Sequence, residues 1–90
     1  MKTITLTDEQ VAALGYILDL AHGDQESYLS IGNPRTDYGD EWPETAAWKA
    51  RDFRHIAAAF GELFPGEVER WASLAECFEA SGKEYEEANA

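Results

Sequence analysis

Covalent staples are missing from this chain. It has one cysteine, Cys77, so no internal disulfide can form, and the paired Cys/His spacings of a zinc site are absent. That usage points to a reduced, cytoplasmic setting. Basic residues are scarce: seven Lys plus Arg stand against eighteen Asp plus Glu, a formal net charge of −11. Direct binding to DNA or RNA is thereby disfavoured, because phosphate contacts need a basic face. An anionic membrane surface would repel the chain for the same reason. No apolar run approaches the ~18 residues that a membrane-spanning helix requires. Met1 to Gln10 lacks a charged region followed by an apolar one, so no signal peptide is expected. The glycines stand singly and none follows a strand in a βαβ setting, which leaves no phosphate-cradling loop.

Aromatic side chains, by contrast, are plentiful. Three Trp, four Tyr and four Phe in 90 residues can fill a compact core, and the hydrophobic share of 44% is ordinary for a globular protein. A chain of this length makes one domain, residues 1–90. It buries only about 60–65% of its unfolded surface, so its margin of stability is narrow.

Helical periodicity organises most of the sequence. Lys2 to Thr7 (KTITLT) alternates at period two and predicts a short strand or extended arm over residues 1–7, with no second strand to pair with. Such an arm can lie on the helices, pair with its twin in a homodimer, or add to the sheet edge of a partner. Thr7 and Gln10 have the spacing of a capping box, and Asp8 and Glu9 suit the positive end of a helix dipole. Val11, Leu14, Ile17, Leu18 and Ala21 then share one face, predicting a first helix over 8–22, extending to 30 if Gly23 does not end it. Gly32-Asn33-Pro34 stops it. Asp40 is placed to cap a second helix over 41–63, with Glu41, Pro43 and Glu44 in its first turn and Phe53, Ile56, Phe60 and Leu63 as its inward stripe. After Phe64-Pro65-Gly66, a third helix over 66–81 turns Val68, Trp71, Leu74, Ala75 and Phe78 inward and ends at Ser81-Gly82. Residues 83–90 form an acidic, frayed tail, unless Tyr85 extends the stripe of the third helix. The fold class that follows is all-α: a three-helix bundle with a short extended N-terminal arm or strand, the second and third helices antiparallel across their short connection.

Chemistry-bearing clusters are few. His22 and Glu26 share a helical spacing with Asp24 nearby, but two ligands do not make a metal site, and these residues read as surface groups at a helix end. Cys77 lies in no nucleophile motif and reads as a buried or half-buried structural thiol. Carboxylates are abundant without any spacing that implies acid–base work, so no catalytic residue, metal or cofactor is expected and the chain is read as a non-enzyme. Lys49, Arg51, Arg54 and His55 form a basic island that can be absorbed by neighbouring acids. The remaining concentration is Asp37, Tyr38, Asp40, Glu41, Trp42, Glu44 and Trp48, aromatic rings ringed by carboxylates. That is the composition of a protein-binding surface, where Arg side chains of a partner stack on rings and pair with acids. The competing expectation for Trp42 is a plug folded over the end of the bundle, and Trp48 sits on the flank of its helix's stripe.

The opening MKTITLTDEQ, together with small size, lone Cys and strong acidity, resembles small acidic phage and mobile-element proteins of the anti-CRISPR or anti-restriction inhibitor type. The resemblance is one of class. It implies a protein that presents carboxylates where nucleic-acid phosphates would lie, and the basic island at 49–55 departs from a pure DNA mimic. The function expected is therefore a non-catalytic, cytoplasmic binding module that blocks a basic, nucleic-acid-binding surface of a host protein. The alternative is a small assembly protein that homo-oligomerises, with no nucleic-acid mimicry and with Lys2–Thr7 and Trp48 as the contact.

Overall fold

A computed structural model describes residues 2–89. Four helices follow one another: α1 (Asp8–Ser30), a short α2 (Pro34–Tyr38), α3 (Trp42–Phe60) and α4 (Pro65–Ala88), with one 3-10 turn, Gly39–Glu41, between α2 and α3. The three long helices make a helical bundle, and no strand occurs among the described residues. Residues 2–7, expected as a strand or packed arm, carry no regular structure, and Ile4 is 77% exposed. A lone extended segment has no edge on which to satisfy its backbone.

Local chemistry explains where α1 begins. The Thr7 hydroxyl accepts from the Gln10 amide at 3.2 Å, and the Gln10 side chain accepts from the Thr7 amide at 2.9 Å, so two otherwise orphaned donors are satisfied reciprocally. Gly23 does not interrupt the helix, which runs its full 23 residues.

The linker departs from the expected loop. The Asn33 side chain accepts from the Thr36 amide at 3.4 Å and opens a short helix, α2, with Pro34 in its first turn, while Asp40, expected to cap the helix that follows, caps nothing. Gly39 then takes φ +55°, a conformation that side chains resist, and reverses the chain into the 3-10 turn. α3 starts at Trp42 without a side-chain cap, Glu41 preceding it in helical geometry. It ends at Phe60, three residues short of the expected 63, so Leu63 leaves the stripe and stands 48% exposed.

α4 does not stop at Ser81-Gly82. It continues to Ala88, and the tail expected to fray from residue 83 is helical almost to its end. The reason is packing. Gly82 is buried, and a Cβ there would come within 3.2 Å of both the Ala46 Cβ and the Pro43 Cα. It is a point of close backbone approach between α3 and α4.

Most of the core lies between those two helices. α3 contributes Trp42, Ala46, Ala50, Phe53 and Ala57; α4 contributes Trp71, Leu74, Ala75 and Phe78; from α1 comes Leu18. Small residues on α3 leave room for the large rings of α4. Six rings form a continuous series through the molecule. His22 meets Trp71 edge-on at 5.3 Å, Trp71 meets Phe53 at 5.4 Å, and Phe53 meets Phe78 at 5.1 Å. Phe78 then meets Trp42 at 5.8 Å, and Trp42 meets Tyr38 at 5.8 Å. Pairs of this kind add roughly 0.5–1.5 kcal/mol each beyond the area they bury. Both buried indoles have acceptors: Trp42 Nε1 donates to Ser81 Oγ at 3.0 Å, and Trp71 Nε1 to Glu67 Oε2 at 2.8 Å.

α1 lies against this pair more loosely. His22, expected at the surface, is buried, and its Nε2–H donates to the Arg70 carbonyl at 3.1 Å. Arg70 in turn bridges Asp19 on α1 at 2.8 Å and Glu67 on α4 at 2.7 Å. Ile17 and Val68, both assigned inward by periodicity, are 56% and 41% exposed. The shape is long and thin, 49 × 27 × 18 Å.

Candidate functional surface

The ring series ends at the surface with Tyr38, and there the candidate binding residues meet. α2 and its turn carry Tyr38 to the start of α3, where Glu44, Thr45 and Trp48 lie one turn apart on one side of the helix. Tyr38, Glu44, Thr45 and Trp48 line a shallow groove of about 350 Å³. Tyr38 is 36% exposed and Trp48 53%, so both residues reach solvent beside the Glu44 carboxylate. Such a groove suits a cationic side chain, which can lie against a ring while it pairs with the acid.

Not every predicted member belongs to it. Trp42 has no exposed surface: it is the plug of the bundle end, and its indole N–H is occupied by Ser81, so it contacts no partner directly. Its contribution is to support Tyr38, whose ring lies on it at a 31° tilt. Asp37 and Asp40 are engaged within the fold. Asp37 accepts from the Tyr28 hydroxyl at 2.7 Å and Asp40 from the Tyr85 hydroxyl at 2.9 Å. Partial burial, then the Asp37 carboxylate, pushes the Tyr28 phenol up to about 12. The hydrogen bond to Asp40 likewise raises Tyr85. Glu41 is exposed in the 3-10 turn.

The basic island is largely consumed. Arg54 pairs with Glu79 of α4 at 2.6 Å, a contact that holds the Glu79 carboxyl below its ordinary value and the guanidinium above its own. Lys49 donates to Gln25 at 3.0 Å and lies 5.9 Å from the centre of the Phe78 ring. Arg51 and His55 are exposed.

A second concavity escaped the sequence. Because α1 splays from α4, a cleft of about 830 Å³ opens between them, with Leu29 and Leu74 in its lining and Asp19, Glu26 and Glu69 among its acids. Cys77 lies at its edge and is exposed, where a buried or half-buried thiol was expected. The three-and-four spacing of Asp19, His22 and Glu26 placed them on one face of α1, which was the available signal. Among the described residues no group of three or more His, Cys, Asp or Glu is arranged to hold a metal ion. Among them, too, no helix is long and apolar enough to cross a membrane. Compared with known proteins, the chain matches no family profile, no curated protein and no solved structure.

Proposed function

We propose that this chain is a non-catalytic binding module that docks on a basic surface of another protein and blocks it, as small acidic phage and mobile-element inhibitors do. The observation that carries the reading is the groove of Tyr38, Glu44 and Trp48: two exposed rings flanking one carboxylate on an acidic body. An Arg or Lys of the partner would enter it, and the field of the net −11 charge would steer the approach.

Charge density refines the mechanism. A duplex as long as the protein's 49 Å axis carries roughly 29 phosphate charges, or about 14 per strand. The net charge of −11 is therefore comparable with one strand, not two. The chain would compete for a surface that holds a single strand or a short stretch of backbone, rather than imitate a whole duplex.

The test begins with a tagged chain incubated in bacterial lysate and compared with the Glu44→Lys/Trp48→Ala variant. Proteins held only by the unaltered chain are then purified for kinetics. The association rate should fall about tenfold or more between about 50 mM and about 500 mM salt. Equal capture by the variant, or a rate indifferent to salt, would refute the proposal. The alternative, an assembly protein pairing through Lys2–Thr7, draws support from the exposure of Ile4. It requires light scattering to show a dimer that arm deletion converts to a monomer.

A further inference from the structure

α1 is apolar on two sides. Its inward face packs Leu14, Leu18, Ala21 and Leu29 against the core. Tyr16 and Leu20 point away from that face, roughly 180° and roughly 140° round the helix from its centre, and Ile17 lies on the flank, roughly 80° round; they are 64%, 51% and 56% exposed. Ala13 lies one turn before them on the same side, and nothing among residues 2–89 covers them. A helix with apolar residues on opposite faces has the pattern of one enclosed between two layers. Here one layer is present.

The charges on α1 select the second. The helix carries Asp8, Glu9, Asp19, Asp24 and Glu26 and no Lys or Arg. Glu9 and Asp24 project to the same side as Tyr16 and Leu20, so the apolar stripe is closed by an exposed carboxylate at each end, about 22 Å apart along the axis. A second copy does not fit. Antiparallel pairing centred on Tyr16-Ile17 sets Glu9 against Asp24 at both ends, and parallel pairing sets like against like throughout. Anionic lipid is repelled in the same way.

We infer that the outer face of α1 is a docking surface for a basic amphipathic helix of another protein. That helix lays an apolar stripe on Tyr16, Ile17 and Leu20 and sets Lys or Arg, about four turns apart, against Glu9 and Asp24. This surface is separate from the Tyr38–Trp48 groove, and either can be lost without the other.

A synthetic Leu/Lys amphipathic peptide of about 16 residues, long enough to span the stripe, is the probe, titrated into isotope-labelled chain and followed by amide NMR. Shifts centred on residues 9–24 are expected. The Ile17→Ser/Leu20→Ser variant keeps every charge, and binding should weaken at least about tenfold. Leu20→Lys, a single change at an exposed position, should act in the same direction. A peptide with the same Leu stripe and Glu in place of Lys should not bind. Undiminished binding to the serine variant, or shifts confined to residues 37–48, would overturn the inference. A dimer of the unaltered chain that the serine variant abolishes would overturn it as well, because the occupant would then be a second copy.

Discussion

Gly82 and Gly23 are both helical glycines with opposite surroundings. A Cβ on Gly23 meets nothing within 4 Å, whereas one on Gly82 meets the Pro43 backbone and Ala46 at 3.2 Å. Gly23→Ala should therefore raise stability by about 0.5–1 kcal/mol, since it removes backbone freedom from the unfolded chain without strain. Gly82→Leu should lower it by at least ~2 kcal/mol by forcing α3 from α4. Urea denaturation of the two variants checks both signs, and a stabilising Gly82→Leu would show that the close approach is not required. Sequence alone could not separate these roles. Ser81-Gly82 has the look of a helix end because the backbone it faces, at Pro43, is far away in the chain. Trp42 was ambiguous for a similar reason. A Trp among acids suits an exposed hot spot or a plug, and the Ser81 hydroxyl that decides the matter lies on another helix.

Between elements, the telling contacts are phenol to carboxylate. Tyr28 binds Asp37 and ties α1 to α2; Tyr85 binds Asp40 and ties α4 to the turn. The Tyr28 phenol is raised from 10.0 to about 12, so the unfolded chain gives up this proton first. Its contribution to stability is whole below pH 10 and disappears as pH climbs toward 12. The stability difference between the unaltered chain and Tyr28→Phe should be constant below that window and shrink across it. Chemical denaturation at stepped alkaline pH measures this, and a difference that grows with pH would contradict the assignment. Element starts governed by a few neighbouring residues were legible: Thr7 to Gln10 announces α1 by itself. The 33–41 segment was not, because Asn33-Pro34 opens a loop or a one-turn helix equally well. Periodicity also chose the buried face of α1. It did so for most of the stripe, since Leu14, Leu18 and Ala21 pack inward as their spacing predicts, but Ile17, at the edge of that stripe, stands exposed.

The whole molecule is extended for its size. Its radius of gyration is 14.9 Å, against roughly 12 Å for a compact chain of this length. Periodicity foretold the helices, and composition the excess of acids over bases. Neither could foretell how openly α1 would sit, which depends on matching surfaces rather than on counts. Net charge should govern the response to salt. Arg35, Arg54 and Arg70 make ion pairs, mostly between well-exposed side chains that solvent already screens, so adding salt costs little there. Screening the repulsion among the excess carboxylates gains more. The urea midpoint should therefore rise between about 20 mM and about 300 mM sodium chloride; a fall would mean that the ion pairs dominate. One last consequence follows from where the core lies. α3 and α4 are joined by residues 61–64 and hold nine of the ten buried apolar side chains, so the hairpin can close over a short loop before α1 takes part. α1 is then the last piece to arrive and the first to leave. Hydrogen exchange should show its amides released through partial opening while those near Phe53 and Phe78 wait for global unfolding. Uniform protection across all three long helices would instead make the molecule a single cooperative unit.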